Sequence, residues 1–362
     1  MLRRKRIVKD YVTTSSRTTP GFQWLGHYHG SQKSKSKGFS SIIVHKHRGN
    51  NDDDDDRVSV AKDEFRRLGG VVRSGILSHA LELVPEQELG FAHFTPPYLA
   101  PTTVGDVLLQ GVNYASSGSG ILNSTGSNFG DRINFDTQIS YHGRTVRAIM
   151  SRIGIPAAQK LLRRAIYGIA TGSNDIMAKE SAPGMSEEAY LDFLISRLKL
   201  ALTTLYNLNA RKIIVANAGP CGCIPFEKDI HPFPKGSCLR LINRMAHTFN
   251  DKLKGMLAEL NKDLQGAKFI YVDIYRILLD LTQNYVSYGF ENATSACCSF
   301  AGSRGGLVPC NPLSKICPDR SKYVFWDPFH LTDAANVIAV RHMMDGGLKY
   351  MSPMNFRQLV QS

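Results

Sequence analysis

An aspartate and a histidine three residues apart, in the segment Asp327-Pro-Phe-His330, are of the right types to form the basic half of a catalytic triad. On a loop before a helix, the carboxylate can hold one ring nitrogen, and the other nitrogen is then available to take a proton from a nucleophile. The spacing alone leaves two other interpretations open. Asp327 could cap the following helix, and His330 could be a solvated loop residue.

Two further segments contain residue types that could bind a developing negative charge. Gly118 lies in the Gly/Ser-rich stretch 115–120, where glycine lets backbone N–H groups approach an anion closely. A flexible connection is the alternative, and the absence of GxGxxG or GK[ST] excludes a nucleotide-binding loop. Asn174, in Gly172-Ser-Asn-Asp175, also follows an apolar strand-like run.

Short apolar segments alternate with amphipathic ones along most of the chain. The predicted strands cover residues 165–170, 212–217 and 268–273, and the predicted helices cover 137–153, 186–205, 239–260, a stretch from 274, and 333–344. A further short helix is expected at 62–68, and a strand-like run that begins at Gly111 leads into the Gly/Ser-rich stretch. Ser186 is expected to cap the second helix. The third helix is expected to bury one face, which comprises Leu241, Met245, Phe249, Leu253 and Leu257.

This alternation predicts a parallel sheet with helices on both faces. Functional groups in such sheets gather at the carboxyl ends of the strands. Gly118 and Asn174 each follow a predicted strand, so we expect both to lie on the same rim as the Asp327/His330 loop.

Bulk composition is that of a soluble globular protein, with 43% hydrophobic and 21% charged residues among 362. No apolar run reaches the roughly 18 residues that an integral membrane segment requires. Residues 1–74 contain 16 Lys and Arg against 8 Asp and Glu and so hold +8 of the net charge of +13. Residues 1–60 are predicted to be a disordered basic and acidic tail. Without a reader motif or interleaved aromatic residues, no nucleic-acid partner is expected.

The cysteine pattern favours disulfides over a metal site. Cys221-Gly-Cys223 is too closely spaced for an ordinary zinc doublet, and seven cysteines leave one unpaired. Disulfides form in an oxidising compartment. Two N-glycosylation sequons, at Asn123 and Asn292, point to the same compartment. No signal peptide is recognised in the basic segment that begins at Met1. The cysteines and sequons therefore indicate secretion, whereas the N-terminal segment does not.

Four motifs, in order, resemble the plant GDSL esterase/lipase family of SGNH hydrolases from about Phe94 to Gly347. These motifs are Gly111-Val-Asn-Tyr-Ala-Ser116, Gly172-Ser-Asn-Asp175, Ala216-Asn-Ala-Gly-Pro220 with Gly222-Cys-Ile-Pro225, and Phe325-Trp-Asp-Pro-Phe-His330 with Ala334-Ala-Asn336. The resemblance implies a three-layer α/β/α flavodoxin-like fold and hydrolysis of carboxylic esters in small molecules or lipids. It also implies an extracellular location and no cofactor or metal.

The resemblance assigns roles to the site residues. It makes His330 the general base, Asp327 its orienting partner, and the Gly118 backbone N–H and Asn174 amide the oxyanion-hole donors. It leaves Cys221 unpaired and makes six cysteines the disulfide candidates: Cys223, Cys238, Cys297, Cys298, Cys310 and Cys317.

The nucleophile of the family does not appear in this sequence. The family's first strand leads into Gly-Asp-Ser-Leu, and this chain contains no Gly-Asp-Ser. Aligning Gly49-Asn50-Asn51 with the Gly-Asn-Asn that follows in the family would place Val44 at the nucleophile position, with Ser40 and Ser41 nearby. An incomplete or substituted first strand is therefore expected, and the nucleophile is unassigned.

Two functions remain from the sequence. The first is a serine ester hydrolase by descent, with impaired or absent activity in this form. The alternative is a catalytically inactive ester-binding protein or a truncated gene product. The expected organisation is a tail at 1–60, a divergent segment at 61–93, the hydrolase domain at 94–350 and a C-terminal tail at 351–362.

Overall fold

The computed structural model describes residues 41–45 (backbone), 95–127, 131–179, 184–231 and 237–362. All of them belong to one compact unit that starts at Ser36. The strands are β1 (Ser41–His45), β2 (Gly111–Asn113), β3 (Ile166–Ala170), β4 (Lys212–Ala216), β5 (Lys268–Val272), β6 (Asn292–Ala296), β7 (Cys298–Ser299), β8 (Lys315–Ile316), β9 (Tyr323–Phe325) and β10 (Met351–Ser352).

The α-helices, numbered in the same way, flank the main sheet. They are α1 (Phe135–Ile153), α2 (Ile155–Arg164), α3 (Ser173–Met177), α4 (Glu187–Asn207), α5 (Pro225–Ile230), α6 (Arg240–Asp263), α7 (Ile274–Gln283), α8 (Asp333–Asp345) and α9 (Phe356–Gln361). Each helix that the sequence predicted between residues 137 and 344 is present, with ends shifted by a few residues.

The main sheet has six strands in the order β10-β5-β4-β3-β1-β2. Strands β3, β4 and β5 are parallel and in register, and β1 and β10 run antiparallel to their neighbours. The sheet is therefore mixed, with a parallel centre, where the sequence predicted a parallel sheet. Both antiparallel strands pair across large sequence separations, which local hydrophobic patterns do not encode.

Strand β1 is a substituted strand in the interior of the sheet. It lies between β2 and β3, and Ser41 is opposite Ala170 while His45 is opposite Ile166. It falls within the segment 1–60 that was expected to be disordered, so that expectation is wrong for residues 41–45. The rest of 1–60, and the helix expected at 62–68 in the divergent segment, lie outside the described residues.

The two faces of the sheet bury separate hydrophobic cores. Along β4, Ile213 and Val215 join the core under α1, α4 and α6, and Ile214 and Ala216 join the core under α7, α8 and α9. This alternation is the two-residue period of a strand. Helices on both faces produce the three-layer α/β/α arrangement that was predicted.

Local capping signals in the sequence were informative. The Ser186 side chain accepts a hydrogen bond from the Ala189 N–H and begins α4 as expected. In α6, four of the five residues expected on the buried face are buried, but Leu241 is 47% exposed. Each four-residue step along a helix rotates by about 40°. The stripe therefore drifts out of contact with the core at its first residue.

Residues 351–362, which the sequence set apart as a C-terminal tail, pack on the sheet. Met351 pairs with Val272 of β5, and Phe356 and Leu359 of α9 are buried in the core beneath α8. The segment thus closes one edge of the parallel strands.

Candidate active site

The Asp327 carboxylate holds both the ring and the backbone of His330. Its two oxygens lie 2.7 Å from the His330 Nδ1 atom, and one of them also accepts hydrogen bonds from the Phe329 and His330 N–H groups at 2.9 Å. Both side chains are buried, with His330 2% exposed. The Thr332 side chain caps α8 by accepting from Ala335 N. The two alternative interpretations of the motif, a capping Asp327 and a solvated His330, are therefore excluded.

The charge state of Asp327 follows from these contacts. Burial by itself would raise the pKa of Asp327, but the neighbouring His330 and the hydrogen bonds donated to the carboxylate lower this pKa below its usual value. Asp327 is consequently ionised at neutral pH. An ionised carboxylate at Nδ1 favours the tautomer with a proton on Nδ1, which leaves Nε2 as the acceptor.

Backbone hydrogen bonds fix the loop that carries the pair. Cys297 N donates to Phe325 O at 3.0 Å, and Cys298 N donates to Trp326 O at 2.6 Å. From α5, Phe226 N donates to Pro328 O at 3.0 Å. The loop is thus attached on both sides before it reaches α8.

The six disulfide candidates pair with one another, as predicted. The bridges are Cys223–Cys238, Cys297–Cys317 and Cys298–Cys310. Cys221 is left as a free, buried thiol, and burial raises the pKa of this thiol to about 11. Two of the bridges begin at the adjacent residues Cys297 and Cys298, which hold the backbone of the loop that carries Asp327 and His330.

Asn174 meets the Gly/Ser-rich loop, as expected for two groups on one rim. Its side-chain Nδ2 donates to Ser119 O at 2.7 Å. The adjacent Gly118 is buried and has a φ of 77°, a left-handed conformation that favours glycine. The amide of Asn174 and the backbone of the 118–119 turn therefore form one continuous surface.

Asp175 is a site residue that sequence reasoning missed. This fully buried carboxylate accepts from Ile121 N at 2.8 Å, Leu122 N at 3.0 Å and Thr125 Oγ1 at 2.7 Å. A Cβ added at Gly120 would lie 2.4 Å from an Asp175 oxygen, so the loop can approach only because residue 120 is glycine. The motif Gly172-Ser-Asn-Asp175 was visible, but the partners of Asp175 lie some 50 residues away in sequence.

A cavity is lined by residues next to the Asp327/His330 pair and by Asn174, although His330, Asp327 and Gly118 are not among its lining residues. It is partly enclosed and partly open to solvent. Asn174 lines it on one side, and Phe329 and Leu331, the neighbours of His330, line it on the other. The structure therefore brings the Asp327/His330 loop and the Asn174 loop to the same cavity, at the carboxyl ends of β3 and β4.

The remaining predicted positions lie away from this cavity. Asn123 is exposed on the loop that Asp175 holds, and Asn292 is half-buried at the start of β6. Glycosylation at both remains a prediction. The described residues contain no cluster of His, Cys, Asp or Glu suited to a metal ion. Among the same residues, no helix has the length and apolar character to cross a membrane.

A three-layer α/β/α fold with a buried Asp–His pair at the rim of its sheet is the architecture of a class of ester hydrolases, the SGNH superfamily. The chain belongs to the GDSL-like lipase/acylhydrolase family, whose model matches residues 69–343. The match begins before Phe94, where the resemblance in the motifs began.

Curated relatives from Arabidopsis thaliana agree with this assignment. The chain is 51% identical over 281 residues to GDSL esterase/lipase At4g16230, which covers 75% of this chain and 76% of that protein. It is 39% identical over 282 residues to GDSL esterase/lipase At2g23540, covering 75% and 73%. It is 38% identical over 283 residues to GDSL esterase/lipase At3g50400, covering 75% and 76%. The family relationship indicates a hydrolase that acts on esters.

Proposed function

We propose that this protein hydrolyses carboxylic esters, with His330 as the general base and Asp327 as the group that orients it. The observation that carries the proposal is the buried contact of 2.7 Å between the Asp327 carboxylate and the His330 Nδ1 atom, beside a cavity that also reaches Asn174. A base held in this way can take a proton from a nucleophile and return it to the leaving alcohol.

The oxyanion of the tetrahedral intermediate would be bound by the Gly118 N–H and the Asn174 amide. The contact between Asn174 and the 118–119 turn supports this assignment, because both donors then move as one unit. Each such donor typically contributes about a hundred- to a thousandfold in rate.

The nucleophile is the part of the mechanism without a sequence motif. Val44, at the aligned position, has no nucleophilic group. In β1, the backbone register puts Ser41 opposite Ala170, and Ala170 lines the cavity. We therefore regard Ser41 as the first serine to test, with a His330-activated water as the alternative nucleophile.

A second function has an observation in its favour. The sequence contains no Gly-Asp-Ser, and loss of a triad member leaves only about a thousand- to ten-thousandfold acceleration over water. A protein that keeps the cleft and binds esters without hydrolysing them would fit the absence of this motif.

Labelling with a fluorophosphonate probe separates these functions. A serine ester hydrolase incorporates one probe per chain, and Ser41→Ala abolishes incorporation if Ser41 is the nucleophile. Label on another serine refutes the assignment of Ser41 as the nucleophile but agrees with ester hydrolysis as the function. Absence of label together with His330-dependent ester hydrolysis identifies water as the nucleophile. If there is neither label nor ester hydrolysis, the protein is the catalytically inactive ester-binding protein.

We further propose that the substrate is a small-molecule or lipid ester and that the protein is extracellular. Three disulfides within one domain support an oxidising compartment, since cytosolic thiols are kept reduced. Retention of all three bridges after purification without added oxidant would agree with this location, and free thiols at those positions would contradict it.

A further inference from the structure

We propose that the cavity beside Asn174 binds a straight acyl chain of about eight to ten carbons, so that medium-chain acyl esters are preferred over acetyl esters. The catalytic meaning of this inference depends on the proposed ester hydrolysis. The binding itself does not, and it can be measured without turnover.

Apolar side chains from two elements form walls of the cavity. Ile274, Leu278 and Thr282 follow one another at four-residue spacing along α7, and Phe325 and Phe329 lie on the loop that carries His330. Among the described residues that line the cavity, none has a charged side chain. The interior is thus matched to hydrocarbon, and burying hydrocarbon there is favourable.

Several polar groups in these walls are already hydrogen-bonded within the protein. The Thr282 hydroxyl donates to Leu278 O at 2.8 Å. Asn217 donates from Nδ2 to Tyr271 Oη and Asp273 Oδ1, and it accepts from Tyr275 N.

These satisfied groups restrict the chemistry of the ligand. A sugar or a charged group placed along the walls would give up its hydrogen bonds to water and find few new ones, at a cost of roughly 1–3 kcal/mol for each group. A run of methylenes has no hydrogen bonds to water to lose. The occupant of this part of the cavity is therefore a hydrocarbon chain.

Apart from the buried Cys221 thiol, the remaining polar lining comes from one segment, 171–174, which includes the Asn174 amide. An ester carbonyl bound there would direct its chain along α7. The eight residue-to-residue steps from Ile274 to Thr282 rise about 12 Å along the helix axis. Carbon–carbon bonds of about 1.5 Å advance an extended chain by ~1.25 Å each. The wall therefore matches roughly eight to ten carbons.

Gly219 offers a way to shorten the cavity with one substitution. A Cβ at this position would lie 3.2 Å from Leu278 Cδ1 and 3.9 Å from Ile274 Cγ2, so Gly219→Val places methyl groups between the walls. Gly255, exposed on α6, is the matched control because its Cβ would meet nothing within 4 Å. Leu278→Ala has the opposite effect and enlarges the cavity.

The experiment is competitive displacement of a dansylated undecanoic acid by straight-chain fatty acids from butyrate to dodecanoate. For the wild type, affinity should rise by about fourfold per added methylene up to eight to ten carbons and then level off. Gly219→Val should weaken decanoate binding by about tenfold or more and leave butyrate within about twofold. Gly255→Val should follow the wild type, and Leu278→Ala should move the plateau to longer chains.

The inference is overturned if affinity is independent of chain length, if the two valine variants behave alike, or if Leu278→Ala leaves the plateau unchanged. Because the Gly219 and Leu278 variants are expected to shift the plateau in opposite directions, misfolding cannot imitate the result. Chain-length-dependent binding without His330-dependent hydrolysis would keep this inference and remove the proposed function. His330-dependent hydrolysis with no chain-length preference would keep the proposed function and remove the inference about the acyl chain.

Discussion

The buried carboxylate of Asp175 accepts a hydrogen bond of 2.8 Å from the backbone N–H of Ile121, across 54 residues of sequence. This contact and its neighbours at Leu122 and Thr125 join the Gly/Ser-rich loop to the segment that carries Asn174. The two proposed oxyanion donors are therefore held together by the residue next to one of them.

Asp175→Ala is expected to lower the free energy of unfolding by at least about 2 kcal/mol, because it leaves the buried donors of Ile121 and Thr125 unpaired, at a cost of roughly 1–3 kcal/mol each. Urea unfolding measures this change. Asp192→Ala, which removes an exposed partner of Lys252, is the control and should change stability by less than about 1 kcal/mol. Equal losses in the two variants would show that Asp175 does not hold the loop.

His142 should make stability depend on pH. It is fully buried between Tyr114 and Tyr167, and its Nε2 has no hydrogen-bond partner among the described residues. Burial lowers the pKa of His142 from 6.5 to about 4. As pH falls, the unfolded chain takes up the proton first. The free energy of unfolding should therefore drop by about 3 kcal/mol between pH 6.5 and pH 4 on account of this residue.

His142→Leu removes the titrating group and keeps an apolar side chain in the core. The difference between the pH–stability curves of this variant and the wild type isolates the contribution of His142 from that of the carboxylates. A difference that grows below pH 6.5 and levels off below pH 4 is the expected result. Parallel curves would contradict the assignment.

Thiol titration should find one reactive cysteine in the unfolded, unreduced protein and seven after reduction, because six of the seven cysteines are paired. The native protein should react far more slowly, since Cys221 is buried and its thiol has a pKa raised to about 11. A Cys221→Ala variant should show no reactive thiol before reduction. More than one thiol in the unreduced wild type would contradict the pairing.

The parts of the fold that local chemistry determines could be predicted from the sequence. Ser186 followed by two glutamates marks a helix start, and the apolar runs of β3 to β5 mark buried strands wherever they lie. Asp327 and His330 are three residues apart, so their contact needs only a tight loop. Proximity in sequence made both kinds of prediction feasible.

The features that sequence did not reveal depend on distant partners. The direction of β1 is set by pairing with β2 and β3, about 70 and 125 residues further along the chain. Asp175 reads as part of a short motif, and its importance comes from a loop that only the tertiary fold brings to it. The pairing of adjacent Cys297 and Cys298 with different partners was likewise open until their positions were known.

The most direct test compares the hydrolysis of p-nitrophenyl butyrate by the wild type, His330→Ala and His247→Ala. His247 is an exposed histidine on α6 and serves as the control. A general base contributes roughly a hundred- to ten-thousandfold, so kcat/KM should fall by at least about a hundredfold in His330→Ala and remain within about twofold in His247→Ala. Equal values of kcat/KM for the wild type and His330→Ala would contradict the assignment of His330 as the catalytic base.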